Sequence, residues 1–186
     1  MRRVLSCATL TMVLFASAIL SSASADDYSK PTKEHKAMAE DVGVWDADVK
    51  IWMSPDAQPA SSKAVEKNEM MGKLWLISKF DGDFGGEKFT GASAVGYDPI
   101  KKKYVGSWVD TMSPFMMTME GEYDDDSKTL TMMGEGTDHT TGKPCMMKMV
   151  TKYASDDKKT FTMYSEREGD GKDWQKTMVI EYTRRK

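Results

Sequence analysis

The run Cys145-Met146-Met147-Lys148-Met149 puts a thiol and two thioethers on alternate positions, so Cys145, Met147 and Met149 share one face if the segment is extended. Met117 and Met119 repeat that spacing two predicted strands earlier, and His139 lies in the connection before Cys145. Thiolate and thioether are soft donors suited to Cu(I). The same residues have a plainer use. Methionine fills irregular gaps in a core, and the chain's 17 methionines stand largely in clusters: Met70-Met71, Met116-Met117-Met119, Met132-Met133 and Met146-Met147-Met149. Core filling is the favoured reading, and the sequence assigns no metal site and no cofactor. Between the two stands a plastic, methionine-lined cavity for an apolar guest.

A second constellation is Tyr104-Val-Gly-Ser-Trp108-Val-Asp110. Alternation sets Tyr104, Gly106, Trp108 and Asp110 on one side. If that side faces inward, Asp110 is a carboxylate in an apolar enclosure, which must be paired or hold its proton more tightly than usual. If the strand ends near residue 109, Asp110 is a rim residue accepting turn hydrogen bonds, and this is the reading preferred here. Glu120, Glu135 and Glu166 raise the same question with less support. The five tryptophans, Trp45, Trp52, Trp75, Trp108 and Trp174, suit a core or a pocket wall equally.

Several chemistries are disfavoured. No G-x-S-x-G, H-E-x-x-H or phosphate-loop pattern occurs. The only histidines are His35 and His139, so a histidine-based triad has little to draw on. Asp81-Gly82-Asp83 and Asp124-Asp125-Asp126 lack the remainder of a calcium loop and read as turns. Lys101-Lys102-Lys103 and Arg184-Arg185-Lys186 are short basic runs in an acidic chain, and an acidic surface argues against a nucleic-acid partner.

The elements that must position these residues begin after residue 25. Arg2 and Arg3, an apolar run from Val4 to Leu20 and Ala23-Ser24-Ala25 form an export signal with its cleavage site. The expected mature chain, 26–186, is a single domain in the periplasm or outside the cell, with no stable membrane insertion. Removing the two arginines takes the formal charge from −3 to −5 (24 basic against 29 acidic residues). Only Cys145 remains in that part, so packing alone must hold the fold.

Thr32 caps a short predicted helix with His35, Met38 and Val42 on one stripe and Gly43 as its stop. Everything beyond reads as short strands separated by Gly, Pro, Asp and Ser turns, about ten in all: 44–53, 63–71, 73–81, 88–97, 103–112, 115–123, 128–135, 144–154, 159–168 and 173–184. On the last of these, alternation groups Trp174, Lys176, Met178, Ile180 and Tyr182; two strands beyond Asp98-Pro99, it groups Phe115, Met117, Met119, Gly121 and Tyr123. Consecutive hairpins of this length avoid open edges by closing into an antiparallel up-and-down barrel, with a two-sheet sandwich as the alternative.

The run FDGDFGGEKFTGASAVGYDPIKKKYVGSWVDTM resembles the central signature of the bacterial DUF1579 family, a Gly-rich turn, then F-x-G-x-x-x-x-GYD, then Y-V-G-x-W-[VI]-D. VGVWDADVKIW, GEGTDHTTGKP and the closing FTMYSEREGDGKDWQKTMVIEYTRRK are similar to the family too, over about residues 35 to 186. The strand PCMMKMV departs from the family pattern, which is more polar there. The resemblance implies a lipocalin-like, or calycin-like, antiparallel barrel and brings no activity, cofactor or catalytic residue. The expectation drawn from all of this is non-catalytic binding of a small apolar or amphipathic ligand in the barrel, lined by Trp45, Tyr104, Trp108, Met117 and Met119 with Asp110 as polar anchor. Trp45 and Trp108 are placed near the cavity by the motif resemblance. Soft-metal binding through Cys145 and the methionines, or an uncharacterised small-molecule enzyme, are the alternatives.

Overall fold

The computed structural model describes residues 30–137, 142–167 and 173–186. A short helix, α1 (Lys33–Met38), runs into a single 3-10 turn (Ala39–Asp41) and then into ten strands. These are β1 (Gly43–Ile51), β2 (Ala60–Met71), β3 (Trp75–Phe84), β4 (Glu87–Asp98), β5 (Lys103–Asp110), β6 (Ser113–Asp124), β7 (Thr129–Thr137), β8 (Pro144–Ser155), β9 (Lys158–Glu166) and β10 (Trp174–Arg184). Each pairs antiparallel with its neighbours in sequence, and β1 pairs with β10 from Trp45↔Arg184 to Ile51↔Met178. The result is a closed barrel, the expected architecture. Closure leaves no unpaired edge, whereas a sandwich of the same strands would expose several.

Both ends follow from the hairpin connections. The β2–β3, β4–β5, β6–β7 and β8–β9 turns gather at one end with α1. There His35 and Met38 are buried, and the His35 ring meets Tyr97 edge-on at 6.0 Å. Thr32 stands at the helix start, where its backbone N–H donates to His35 Nδ1 at 3.0 Å. This end is the floor. The β1–β2, β3–β4, β5–β6, β7–β8 and β9–β10 connections form the opposite end, the mouth.

Two irregularities change which way side chains point. In β10 the register shifts between Lys176 and Met178, so Thr177 is an extra residue. Met178, Ile180 and Tyr182 therefore face inward, while Trp174 and Lys176 turn outward, where Lys176 lies over Trp52 and Lys148 lies over Trp174, each at 4.5 Å. The simple alternation that grouped all five breaks at this bulge. A second shift, between Trp108 and Asp110 in β5 and their partners Met117 and Ser113, separates Phe115 from Met117. Met117, Met119 and Tyr123 pack inward, while Phe115 is 64% exposed at the mouth.

Candidate functional site

The interior divides into a fully buried part and a half-buried part. Trp45, Ala47, Val49, Ala64, Phe80, Ile180 and Tyr182 form one buried cluster against β1, β2, β3 and β10. Met38, Leu76, Tyr104, Met132, Met147 and Met149 form a second, reaching from the helix up the other wall. Nearer the mouth the inward side chains are only half-buried. Trp108, Met117, Met119, Cys145, Met163 and Met178 all pack against these clusters yet keep contact with solvent. This half-burial sets the mouth half of the barrel apart from the closed end.

The residues expected to line a cavity separate accordingly. Trp108 and Met117 are cross-strand partners, and Met119 is the next inward residue on β6. The Trp108 ring stacks with Phe89 at 6.5 Å and meets Phe80 edge-on at 6.4 Å, and it lies directly against Gly91, where a Cβ would overlap the ring. Asp110 is at the mouth in the turn role. Its Oδ2 accepts from Trp108 Nε1 at 2.8 Å, and its Oδ1 accepts from the Met112 backbone N–H at 2.8 Å. It thereby fixes the indole and ends the strand. Tyr104 is buried toward the floor, where burial pushes its hydroxyl up to about 12. Trp45 is only 1% exposed and walled into the floor, with Lys159 and Arg184 packed on its ring at 4.5 and 4.1 Å. Thus Trp108, Asp110, Met117 and Met119 come together at the mouth, and Trp45 and Tyr104 belong to the closed end. His139 lies outside the described residues. Glu120 is on the outer wall between Lys101 and Lys103, at 3.2 and 2.7 Å.

The floor contains a cluster that the sequence reading missed. Lys159 Nζ donates to Asp41 at 2.9 and 2.7 Å and to Glu66 Oε1 at 2.9 Å. Asn68 Nδ2 bridges the same two acids, at 3.1 Å to Asp41 Oδ2 and 2.9 Å to Glu66 Oε1. Tyr182 donates to Glu66 Oε2 at 2.9 Å, and Trp45 Nε1 donates to the Asp41 carbonyl at 3.1 Å. All four carboxylate oxygens therefore accept at least one hydrogen bond, as buried charge requires. Burial raises the Asp41 carboxyl above its ordinary value, and the Lys159 ammonium partly offsets this. Burial together with Glu66 pushes the Tyr182 hydroxyl well up. Arg184 donates to the Glu40 carbonyl at 2.7 Å and to that of Val42. The cluster ties the 3-10 turn to β1, β2, β9 and β10 and closes that side of the floor. Its alternation was visible, since Lys159 precedes Phe161 and Met163, and Glu66 lies between Ala64 and Asn68.

Outside the barrel, a groove of about 530 Å³ runs over β3 to β7 past Trp75, Ala94, Val105 and Met133. A cleft of about 330 Å³ at the rim is lined by Trp52, Arg167, Trp174 and Lys176. Among the described residues, no three His, Cys, Asp or Glu side chains gather as a metal site, and no helix is long and apolar enough to cross a membrane.

The sequence matches the family described as "Protein of unknown function (DUF1579)" over residues 30–184. The chain belongs to the DUF1579 family. This DUF1579 chain is also similar in fold to the crystal structure of Rv2717c from M. tuberculosis, at 10% sequence identity and a TM-score of 0.62, covering 84% of this chain and 100% of that one. At that identity the likeness concerns the barrel alone. No curated protein matches the sequence.

Proposed function

We propose that this DUF1579 protein is exported and binds a small apolar or amphipathic molecule without chemical conversion, admitting it through the mouth. The observation that carries the reading is the half-buried set of inward rings and thioethers above a sealed floor. Trp108, Phe89, Met117, Met119, Met163 and Met178 offer apolar contact with adaptable shape, which suits a guest of that class. Asp110 supports the reading as a positioning residue, because its carboxylate is occupied in holding Trp108. The leader-like residues 1–25 support export to the periplasm or beyond, with 26–186 as the released domain. The charged outer faces of β1 and β2, which carry Asp46, Asp48, Lys50, Lys63 and Lys67, suit water better than lipid.

The test is a native mass spectrum of the protein recovered from its source, with sequencing of its first residues. A reproducible small-molecule adduct released on denaturation, and a chain starting at Asp26, are expected. An adduct-free protein that also fails to take up an apolar fluorescent dye would overturn the binding reading, and a retained leader would overturn the export reading.

A further inference from the structure

We propose that the barrel wall carries a Cu(I) site made by the Cys145 thiolate and the thioethers of Met147, Met117 and Met119. Pairing registers bring these residues together. Met119 of β6 and Met147 of β8 are both register partners of Gly134 on the intervening β7, and Cys145 is the partner of Gly136. Met117, on the same face of β6, is the next inward residue toward the mouth. Sulfur side chains thus flank β7 on both sides, while the inner face of β7 between them has no side chain at all.

Met147 uses that gap. A Cβ on Gly136 would come within 2.8 Å of Met147 Sδ, and a Cβ on Gly134 within 3.2 Å of Met119 Cβ. Met147 sulfur therefore lies over the residue paired with Cys145, while Met119 stands beside Gly134 by its strand register, its Cγ 3.6 Å from where a Cβ on Gly106 of β5 would lie. Met117, Met119 and Cys145 are half-buried rather than sealed in the core.

The donor chemistry selects the ion. Three thioethers and one thiol are soft donors, and among the described residues no three His, Cys, Asp or Glu side chains gather as a site for a harder cation. Binding is a proton exchange without change of oxidation state. The Cys145 S–H bond breaks, a Cu–S bond forms and the proton leaves to water. Thiolate and Cu(I) together carry no net charge, which suits an apolar wall. Core filling alone would be served equally by leucine, and this gives the test its leverage.

The experiment titrates Cu(I), under reducing anaerobic conditions, into the full chain in a Cys7→Ser background against a chromogenic Cu(I) chelator. The expected result is one ion per chain, with about one proton released and Cys145 protected from alkylation. Cys145→Ser should weaken competition about 100-fold or more, and Met147→Leu and Met119→Leu about 10-fold each, since a near-isosteric swap preserves packing but removes the donor. Met112→Leu with Met116→Leu, both exposed at the mouth, should change nothing. Equal affinity in the Leu and wild-type chains, or alkylation of Cys145 undiminished by Cu(I) in the wild-type chain, would overturn the site. These outcomes do not depend on the apolar ligand, whose own test uses no metal.

Discussion

Lys159 holds Asp41 by two hydrogen bonds, at 2.9 and 2.7 Å, across 118 positions of sequence. One ammonium therefore joins the ninth strand to the turn that enters the first. The same ammonium reaches Glu66 on β2 and lies 4.8 Å from the centre of the Tyr182 ring. The floor is held by a buried charge cluster as well as by apolar packing.

Removing that ammonium should cost far more than an exposed pair would. Lys159→Met leaves two carboxylates buried without their cation, a loss of about 3–5 kcal/mol. Urea denaturation should show the midpoint falling without a change in slope. Adding Asp41→Asn and Glu66→Gln to Lys159→Met should restore much of the loss, because Asn68 and Tyr182 can still donate to neutral oxygens. A triple variant no more stable than the single one would contradict this account.

The pH dependence follows from the direction at Asp41. Burial is the larger influence and lifts its carboxyl above 3.8. A carboxyl raised on folding binds its proton more tightly in the native state, so its contribution is most favourable below 3.8 and declines as pH climbs through the raised value. Acidification toward pH 4 should accordingly add stability through this group. Asp41→Asn should flatten that part of the curve, read from thermal midpoints of both chains between pH 3.5 and 7. A native protein whose Asp41-dependent stability rises with pH across that window would reverse the assignment.

Tyr182→Phe deletes a donor and little volume. It leaves Glu66 Oε2 buried without its 2.9 Å partner, which should cost about 1–3 kcal/mol. The T-shaped contact of ring 182 with Trp45, at 6.5 Å, is kept in this variant. The loss should therefore appear in the denaturation midpoint while near-ultraviolet circular dichroism stays native.

Gly91 supports Trp108 by having no side chain. Gly91→Ala places a methyl where the indole ring now lies, and should cost about 1–3 kcal/mol while shifting Trp108 fluorescence to longer wavelength. The displaced indole also loses its geometry with Asp110, so uptake of an apolar dye should fall. Trp75→Ala, on the outer wall, should leave dye uptake as it was. Equal effects of the two substitutions would remove Trp108 from the binding surface.

The architecture was legible because turn residues and strand-length runs repeat without interruption, and β1 through β10 fall close to the expected segments. The helix was readable from Thr32, the His35 and Met38 stripe and Gly43. The parity of side chains was less so. One extra residue, Thr177, inverts the facing of Trp174 and Lys176, and nothing in their identities announces it. Asp110 read correctly as a turn acceptor, although its bond to the Trp108 indole was not evident. The floor cluster escaped notice because Lys, Asp and Glu are ordinarily solvated, and only the fold brings Asp41, Glu66 and Lys159 from three distant segments to one point. Trp45, read by motif resemblance as lying near the cavity, is instead held in that cluster's wall.

The join between β1 and β10 also has a bearing on order of assembly. Asp46 and Arg185, an ion pair across it, stand 139 positions apart. During synthesis the first strand can meet its second neighbour only when the final one has been made, so until then its flank is a template open to any passing strand. Completion of the ring is consequently a late event, and a chain released early would be sticky on two sides at once.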